Sequence, residues 1–487
     1  MHVTTGRSSG VAASLDSDAI LERARTGTRL MTIRGAVMRS ISIGANLLLL
    51  ALVSPTELGL FAVARGTFTL LQYIAELGIG KAMVRRAQDP TRGEYAALAG
   101  LQLLVGGLVV AIGSVWSAPI LGFGAIDRHW HYAMLATVAT MMSLALGTGA
   151  RARLERALSY ERLAIVDVLN VLVLNVGLVI FALLHQFSLG VFVLLGVATV
   201  IANGLLFLWA PGPRPSLNLR PLVGIARESS GFLAGSTFQI LREQGTPVLI
   251  GALFGLPVAG LYSFGERVAQ VLNVTFDGFR NAGVPAAARL AHDRRSLRTL
   301  ATRCLVGSAS LAAPMAVISI CALPLVAHFV PRWAGAISLA QWYVVAYAVY
   351  GVVSASLQPA AIATRGAAAA IAEQGAALAG GWVTFIILRA VDSPYLAIAV
   401  AIMYLAPIRA LWSVTSADIR PARSDEVVRI AVATACSIAL FLVLRALAAP
   451  LIVSAAVPPV LILAAVRQFR QRLRQLFRFG VAREVNT

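Results

Sequence analysis

Apolar runs of 17–25 residues, separated by short polar breaks, fill the chain from residue 33 to residue 466. A bilayer-spanning helix needs about 20 predominantly apolar residues, and these runs meet that length. The pattern predicts fourteen helical spans at 33–53, 58–80, 95–116, 132–150, 163–184, 190–210, 230–254, 259–281, 301–322, 337–360, 366–388, 394–411, 427–448 and 450–466. The fold class is therefore all-α, a polytopic membrane protein of about fourteen transmembrane helices. Its expected segments are a polar tail (1–28), a six-helix lobe (29–210), a linker (211–229), a second six-helix lobe (230–411), two additional helices (412–466) and a basic tail (467–487). Residues 1–28 hold no apolar stretch of the signal-peptide kind, so the first span is expected to direct insertion.

The breaks differ in charge. With the N-terminus in the cytoplasm, the inside segments carry 29 basic residues and the outside ones three, Arg128, Arg332 and Arg389. Such asymmetry orients a membrane protein and predicts that both termini are cytoplasmic. The 467–478 stretch, RQFRQRLRQLFR, alternates arginines with Phe469, Leu473, Leu476 and Phe477. It reads as a stop signal after the last span, or as a basic amphipathic helix on an anionic leaflet.

Two stretches match at an offset of 201 residues. Gly59-Leu60-Phe61 falls on Gly260-Leu261-Tyr262, Arg65 on Glu266, Thr69 on Gln270, Gln72 on Asn273 and Glu76 on Asp277. Spacings of 4, 3 and 4 put the four polar residues of each set on one helix face. Both helices run from outside to inside, so the lobes are expected to be parallel repeats. The preceding spans are also polar, with Arg39, Ser42 and Asn46 in one and Gln239, Arg242, Glu243 and Thr246 in the other. A charge near the membrane centre costs at least ~2.5–3.5 kcal/mol, so Arg242 should face protein or a wet cavity. Two readings follow. The polar faces line one shared cavity, or they join helices to each other, with Arg242 paired to Glu243, Glu266 or Asp277. Asp167, Asn170 and Asn175 in the fifth span and Glu373 and Gln374 in the eleventh add further intramembrane polar groups. Asp167 reads as structural, and either carboxylate is a candidate for coupling transport to protons or sodium.

Composition sharpens the exclusions. The chain is 58% hydrophobic and only 13% charged, about half the charge of a soluble domain. Soluble enzymes and nucleic-acid binders are excluded, and the net charge of +19 is absorbed by the loop arginines. Cys304, Cys321 and Cys436 are scattered in apolar runs and read as core residues. The histidines His129, His131, His185 and His328 read as interfacial. Asp16-Ser17-Asp18 sits in a Ser-rich tail without a surrounding domain. Gly78-Ile79-Gly80-Lys81 lacks phosphate-loop spacing, and no zinc-protease or serine-hydrolase motif occurs. No enzyme activity, metal site or organic cofactor is expected.

The opening TIRGAVMRSISIGANLLLLALVSPTELGLFAVARG with LGIGKAMVRR resembles the polysaccharide-biosynthesis flippases. The same idiom returns in GLYSFGERVAQVLN and VPAAARL, and both RARLERALSYERLAIVDV and PLVAHFVPRWAGA are similar to that family. These flippases belong to the multidrug/oligosaccharidyl-lipid/polysaccharide exporter superfamily, and the resemblance covers most of residues 30–425. It implies two six-helix lobes around a central cavity opening alternately to each side, with two extra C-terminal helices. It also implies translocation of a polyprenyl-diphosphate-linked oligosaccharide across a bacterial inner membrane, for O-antigen or exopolysaccharide-type polymers.

Arg39, Arg65, Arg242 and Arg267 suit the diphosphate, because guanidinium meets phosphate bidentately. Gln72, Gln239, Glu266, Gln270 and Asn273 complete the expected cavity. Glu76, Glu243, Asp277 and Glu373 are the candidates for coupling to a proton or sodium ion. Expected partners are the lipid-linked saccharide and membrane lipids, with a polysaccharide polymerase or export machinery as a further candidate. No nucleic acid is expected, and the chain is read as a monomer. The alternatives are a multidrug or organic-cation antiporter of the same superfamily, a peptidoglycan lipid II flippase, or a non-transporting membrane scaffold.

Overall fold

The computed structural model describes residues 34–115, 130–446 and 455–462, apart from 36, 39, 43, 77, 86–88, 158, 229, 393–394, 416–418, 422–424 and 461. Among the described residues the chain is helical throughout, with no strand. Among these residues, ten helices are long and apolar enough to cross a membrane. The chain divides into two compact units, one of residues 1–53 and 68–233, the other of 54–67 and 234–487.

Helix α1 (Pro55–Glu76) gives its first turns to the second unit and its remainder to the first. The first unit adds α2 (Ile79–Arg85), α3 (Arg92–Val115), α4 (Trp130–Arg156), α5 (Tyr160–Leu183), α6 (Phe187–Trp209) and α7 (Arg220–Glu228). Capping boxes start α1 and α3. Ser54 N–H donates to Glu57 at 2.7 Å and Thr91 N–H to Glu94 at 2.6 Å, while the hydroxyl of each accepts from the glutamate's own N–H.

Helices α4, α5 and α6 close on a core of Ala150, Leu154, Leu163, Val166, Ala202 and Leu206. Much of α5 stays uncovered, as its high hydropathy requires of a lipid-facing helix. The 211–229 linker is a built part of this unit. Ser216 N–H donates to Ala96 O at 2.8 Å where Gly100 lets the chain approach, and Leu222 and Ile225 of α7 are buried against α2, α3 and α4.

The second unit contains α8 (Ser230–Ile240), which begins in the first unit, then a π-turn (Leu241–Gly245) and α9 (Thr246–Phe254). It continues with α10 (Leu256–Gln270), α11 (Asn273–Arg289), α12 (Arg294–Phe329), α13 (Ile337–Arg365), α14 (Ala367–Ala390), α15 (Leu396–Val414) and α16 (Asp425–Ala446). Gly255 turns the chain between α9 and α10 at φ 88°, which a residue with a side chain rarely adopts.

Two expected spans, 230–254 and 259–281, are not single helices. The first is widened by the π-turn because Pro247 lacks an N–H and its ring would strike the Glu243 carbonyl. The second breaks at Val271-Leu272, where Leu272 N–H bonds Ala269 O at 3.0 Å, one residue closer than in an α-helix. The first span and the fourteenth lie only in part within the described residues, and the 467–478 tail lies outside them. Cys304 and Cys321 are buried as expected, but Cys436 is exposed, because only a small part of α16 is covered by protein.

Candidate functional site

In the second unit, the N-terminal turns of α1 cross α10 at the two glycines that the repeat equates. A Cβ on Gly59 would lie 1.9 Å from Leu256 O, and one on Gly260 would lie 1.8 Å from Pro55 O. No side chain fits there, so two backbones meet directly. One to two turns further along, the crossing sets Arg65 and Arg267 beside one aromatic ring. Their guanidinium carbons stand 5.9 and 5.1 Å from the Phe61 centroid, within cation–π range. Glu266 acts electrostatically on Arg65 and Arg267, and also on Arg242 and Glu243.

The π-turn carries Arg242 into this neighbourhood. Its residue is 8% exposed, and Nη2 donates to Glu243 at 3.2 Å, the local pairing that the sequence offered as one reading. Gln239 donates to the same carboxylate at 3.0 Å. The pair does not satisfy Arg242, because Nε and Nη1 are buried and bond no group among the described residues. A buried guanidinium with two unmet donors is a high-cost feature, and it points to a partner brought from outside the chain. Thr246 Oγ1 donates to Arg242 O at 2.6 Å and receives Trp382 Nε1 at 3.1 Å, which fixes the turn.

Beneath Arg242 lies a phenol cluster that the sequence reading missed. Tyr350 and Tyr404 have ring centroids 5.7 and 5.9 Å from its guanidinium carbon. The Tyr343 hydroxyl lies 3.2 Å from that of Tyr262 and 2.7 Å from that of Tyr404. The signal was present, since Tyr343, Tyr347 and Tyr350 recur at spacings of 4 and 3 on one face of α13. Tyr347 bonds Asn273, whose neighbour Asp277 pairs with Arg280 at 2.9 Å.

Glu373 is fully buried. It accepts from Tyr350 at 2.8 Å, Ser354 at 3.0 Å and Gln358 at 2.8 Å. All three donors are neutral. Gln270 is exposed at the end of α10.

Within the first unit, a cavity of about 550 Å³ opens between the end of α1 and helices α2, α4, α5 and α6. Gln72 and Glu76 line it with Arg151, Asp167, Asn170 and Asn203. Asp167 is held by two arginines, by Arg34 at 2.6 Å and bidentately by Arg151 at 3.0 Å. That is a structural tie joining α5 to α4 and to the chain before α1. Asn175 spends its amide on Val171 O one turn back, at 2.8 Å.

The structure thus gathers Arg65, Gln239, Arg242, Glu243, Glu266 and Arg267 in one neighbourhood of the second unit. Asn273, Asp277 and Glu373 border its tyrosines. Gln72 and Glu76 belong to the first unit's cavity, and Arg39 lies outside the described residues.

A family model described as polysaccharide biosynthesis protein matches residues 48–337. The chain belongs to that family. It is 25% identical over 256 residues to the succinoglycan biosynthesis transport protein ExoT of Rhizobium meliloti (strain 1021), a match covering 51% of this chain. The chain spans about half the length of that curated relative, 50%. Among solved structures, its fold resembles that of the lipid II flippase MurJ in an inward closed conformation. The TM-score is 0.68 at 12% identity, over 91% of this chain and 99% of that one. A transporter of the multidrug/oligosaccharidyl-lipid/polysaccharide (MOP) superfamily from Pyrococcus furiosus is also similar, at TM-score 0.49 and 15% identity over 82% of this chain and 93% of that one. An all-helical, multi-pass membrane protein of the polysaccharide-biosynthesis type is the sum of these findings.

Proposed function

We propose that the chain translocates a polyprenyl-diphosphate-linked oligosaccharide across the bacterial inner membrane by alternating access, as a flippase and not an enzyme. The observation that carries this reading is Arg242, buried in a membrane-spanning segment with two guanidinium nitrogens that bond no group among the described residues. A diphosphate fits that deficit, since each phosphate offers acceptors at the spacing of a guanidinium fork and carries the opposite charge. Arg65 and Arg267 strengthen the local positive field, and the lipid tail would remain in the bilayer while the sugars cross. The transport protein ExoT, named for succinoglycan biosynthesis, supports the surface-polymer class of cargo.

No cofactor is required. Glu373 is the candidate for coupling to a proton or sodium ion, because its carboxylate is satisfied by neutral donors alone and can exchange charge without breaking an ion pair. Both termini are assigned to the cytoplasm by the arginine asymmetry. A lipid II cargo is chemically close, while the cation-antiporter reading is disfavoured by the guanidinium nitrogens of Arg242 that bond no described group, since their charge repels a cationic cargo.

Deletion of the gene, with labelling of lipid-linked saccharides, tests the reading. Build-up of a complete repeat unit on the cytoplasmic face, with surface polymer lost, is the expected result. Unchanged pools and polymer in a strain without a redundant homologue would refute it.

A further inference from the structure

The first unit's cavity is not absorbed by this account of the diphosphate. Its volume of about 550 Å³ falls among small-molecule sites and is far larger than a coupling ion needs. Its lining holds one cation and three carboxylates, Arg151 being tied to Asp167 on one side and to Glu155 at 3.0 Å on the other, with Glu76 beside them. No surplus cation is left for a phosphate.

Two lining amides are unspent. Gln72 on α1 and Asn170 on α5 are half-buried, and neither bonds a protein group among the described residues. Thr199 and Asn203 of α6 also line the cavity. The Thr199 hydroxyl donates to Leu195 O at 2.8 Å and keeps its lone pairs available. An amide presents a donor and an acceptor side by side, which matches a pair of adjacent hydroxyls, each of which both donates and accepts. A ligand dense in hydroxyls fits these amides, and an anion is disfavoured by the three lining carboxylates.

We propose that the cavity of the first unit, lined by Gln72, Asn170, Thr199 and Asn203, binds the saccharide portion of the cargo independently of the arginine cluster that takes the diphosphate. This rests on the reading of the chain as a carrier of a lipid-linked saccharide. It divides recognition between two chemically unlike sites, each within one unit.

The test uses the full chain in detergent and two separate probes. One is the free oligosaccharide released by mild acid from the host's own polyprenyl-diphosphate pool, which carries neither lipid nor phosphate. The other is polyprenyl diphosphate without sugar. Calorimetry should find that Gln72→Leu and Asn170→Leu each weaken the saccharide about tenfold, the loss of roughly 1.4 kcal/mol. Both should leave polyprenyl diphosphate within about twofold, and Arg242→Ala should give the reverse pattern. Because neither amide bonds a protein group among the described residues, both variants should melt like the wild type. Thr199→Val, which keeps the shape, should give a smaller loss of saccharide affinity.

Polyprenyl diphosphate binding without saccharide binding, or saccharide affinity unmoved in all three first-unit variants, overturns the inference and leaves the transport reading standing. Retention of tetraphenylphosphonium with no saccharide bound overturns it in favour of a cation site. Failure of both the saccharide and polyprenyl diphosphate to bind removes the transport reading with it.

Discussion

Two carboxylates in membrane-spanning helices, one half-buried in the first unit and one fully buried in the second, have opposite surroundings. Asp167 in the first unit is gripped by Arg34 and Arg151, an ion pair with each. Glu373 in the second unit receives hydrogen bonds from a phenol, a hydroxyl and an amide, none of them charged. The same contrast extends across the polar interiors of the units. The first pairs Arg151 and leaves amides open, while the second leaves two nitrogens of an ion-paired guanidinium without a described partner, above a bed of tyrosines. A closed ion pair ties helices together and responds weakly to its surroundings. An unmet cation or a neutrally satisfied acid has a free-energy cost that a ligand or proton can relieve. Structural and functional charge are therefore told apart by the partners of a group and not by its depth.

The sharpest way to break the contrast is to remove the open cation. Arg242→Ala should lower translocation roughly 10–100-fold, the equivalent of one or two charge-assisted hydrogen bonds. Protein levels should stay normal, because Glu243 is partly exposed and can be resolvated. Arg151→Ala, in contrast, should reduce the amount of protein in the membrane, since it strips Asp167 of its bidentate partner. Quantitative blotting beside a translocation assay checks both. A fall in protein for Arg242→Ala alone would make its role structural.

A second comparison concerns close backbone approaches, one in each unit. Gly260→Ala would push a Cβ against Pro55 O, and Gly100→Ala would push one against Ser216 O at 1.9 Å. Overpacking of this kind costs about 1–3 kcal/mol. Gly260→Ala should also disturb substrate affinity, because the crossing sets the spacing of Arg65 and Arg267. Gly100→Ala should only loosen the 211–219 segment from α3. Thermal melting together with polyprenyl diphosphate binding separates the two effects.

Much of this organisation is legible in the residues. Predominantly apolar runs about 20 residues long read as membrane helices, and the offset of 201 marks Gly59 and Gly260, which lie together at the α1–α10 crossing. Arg242, isolated inside an apolar run, announced itself by cost. The division of the α1 stripe between the units was not legible, because helical periodicity places residues on a face without saying what lies opposite. Pro247 carried a readable signal for the interrupted span, whereas Val271-Leu272 carries none, being ordinary helix-compatible residues. The tyrosines passed unnoticed because a stripe of large side chains at spacings of 4 and 3 reads as plain core. Only their hydroxyl contacts distinguish them.

Glu373→Gln sharpens the contrast between the two carboxylates at moderate cost. The new amide can still accept from Gln358, but its NH2 must donate to Tyr350 or Ser354, whose hydroxyls must turn round. A penalty of about 1–3 kcal/mol in stability is expected. If Glu373 carries the coupling charge, the variant should bind cargo normally and lose the dependence of transport on a proton or sodium gradient. Asp167→Asn should leave that dependence intact. Flux in proteoliposomes under imposed gradients reads the difference, and an unaltered gradient dependence in Glu373→Gln would remove it from the coupling role.

The smallest effect is expected where a carboxylate is fully exposed. Asp293 caps α12. Its side chain is bonded by the Ser296 hydroxyl, by Ser296 N–H at 3.3 Å and by Arg295 N–H at 2.9 Å. These bonds, that of the Ser296 hydroxyl first, hold its carboxyl below the usual aspartate value. A depressed carboxylate pKa contributes stability that is fully present above the unfolded value, near 3.9, and is lost as pH falls through the folded value. Asp293→Ala should therefore give the smallest drop in melting temperature among these variants at pH 7. The gap from wild type should close as the pH is lowered through that range. Asp293→Asn should recover only part of the loss, because an amide oxygen still accepts from the first-turn N–H groups but carries no charge. A gap that persisted unchanged below that range would mean that the side chain acts there by something other than its charge.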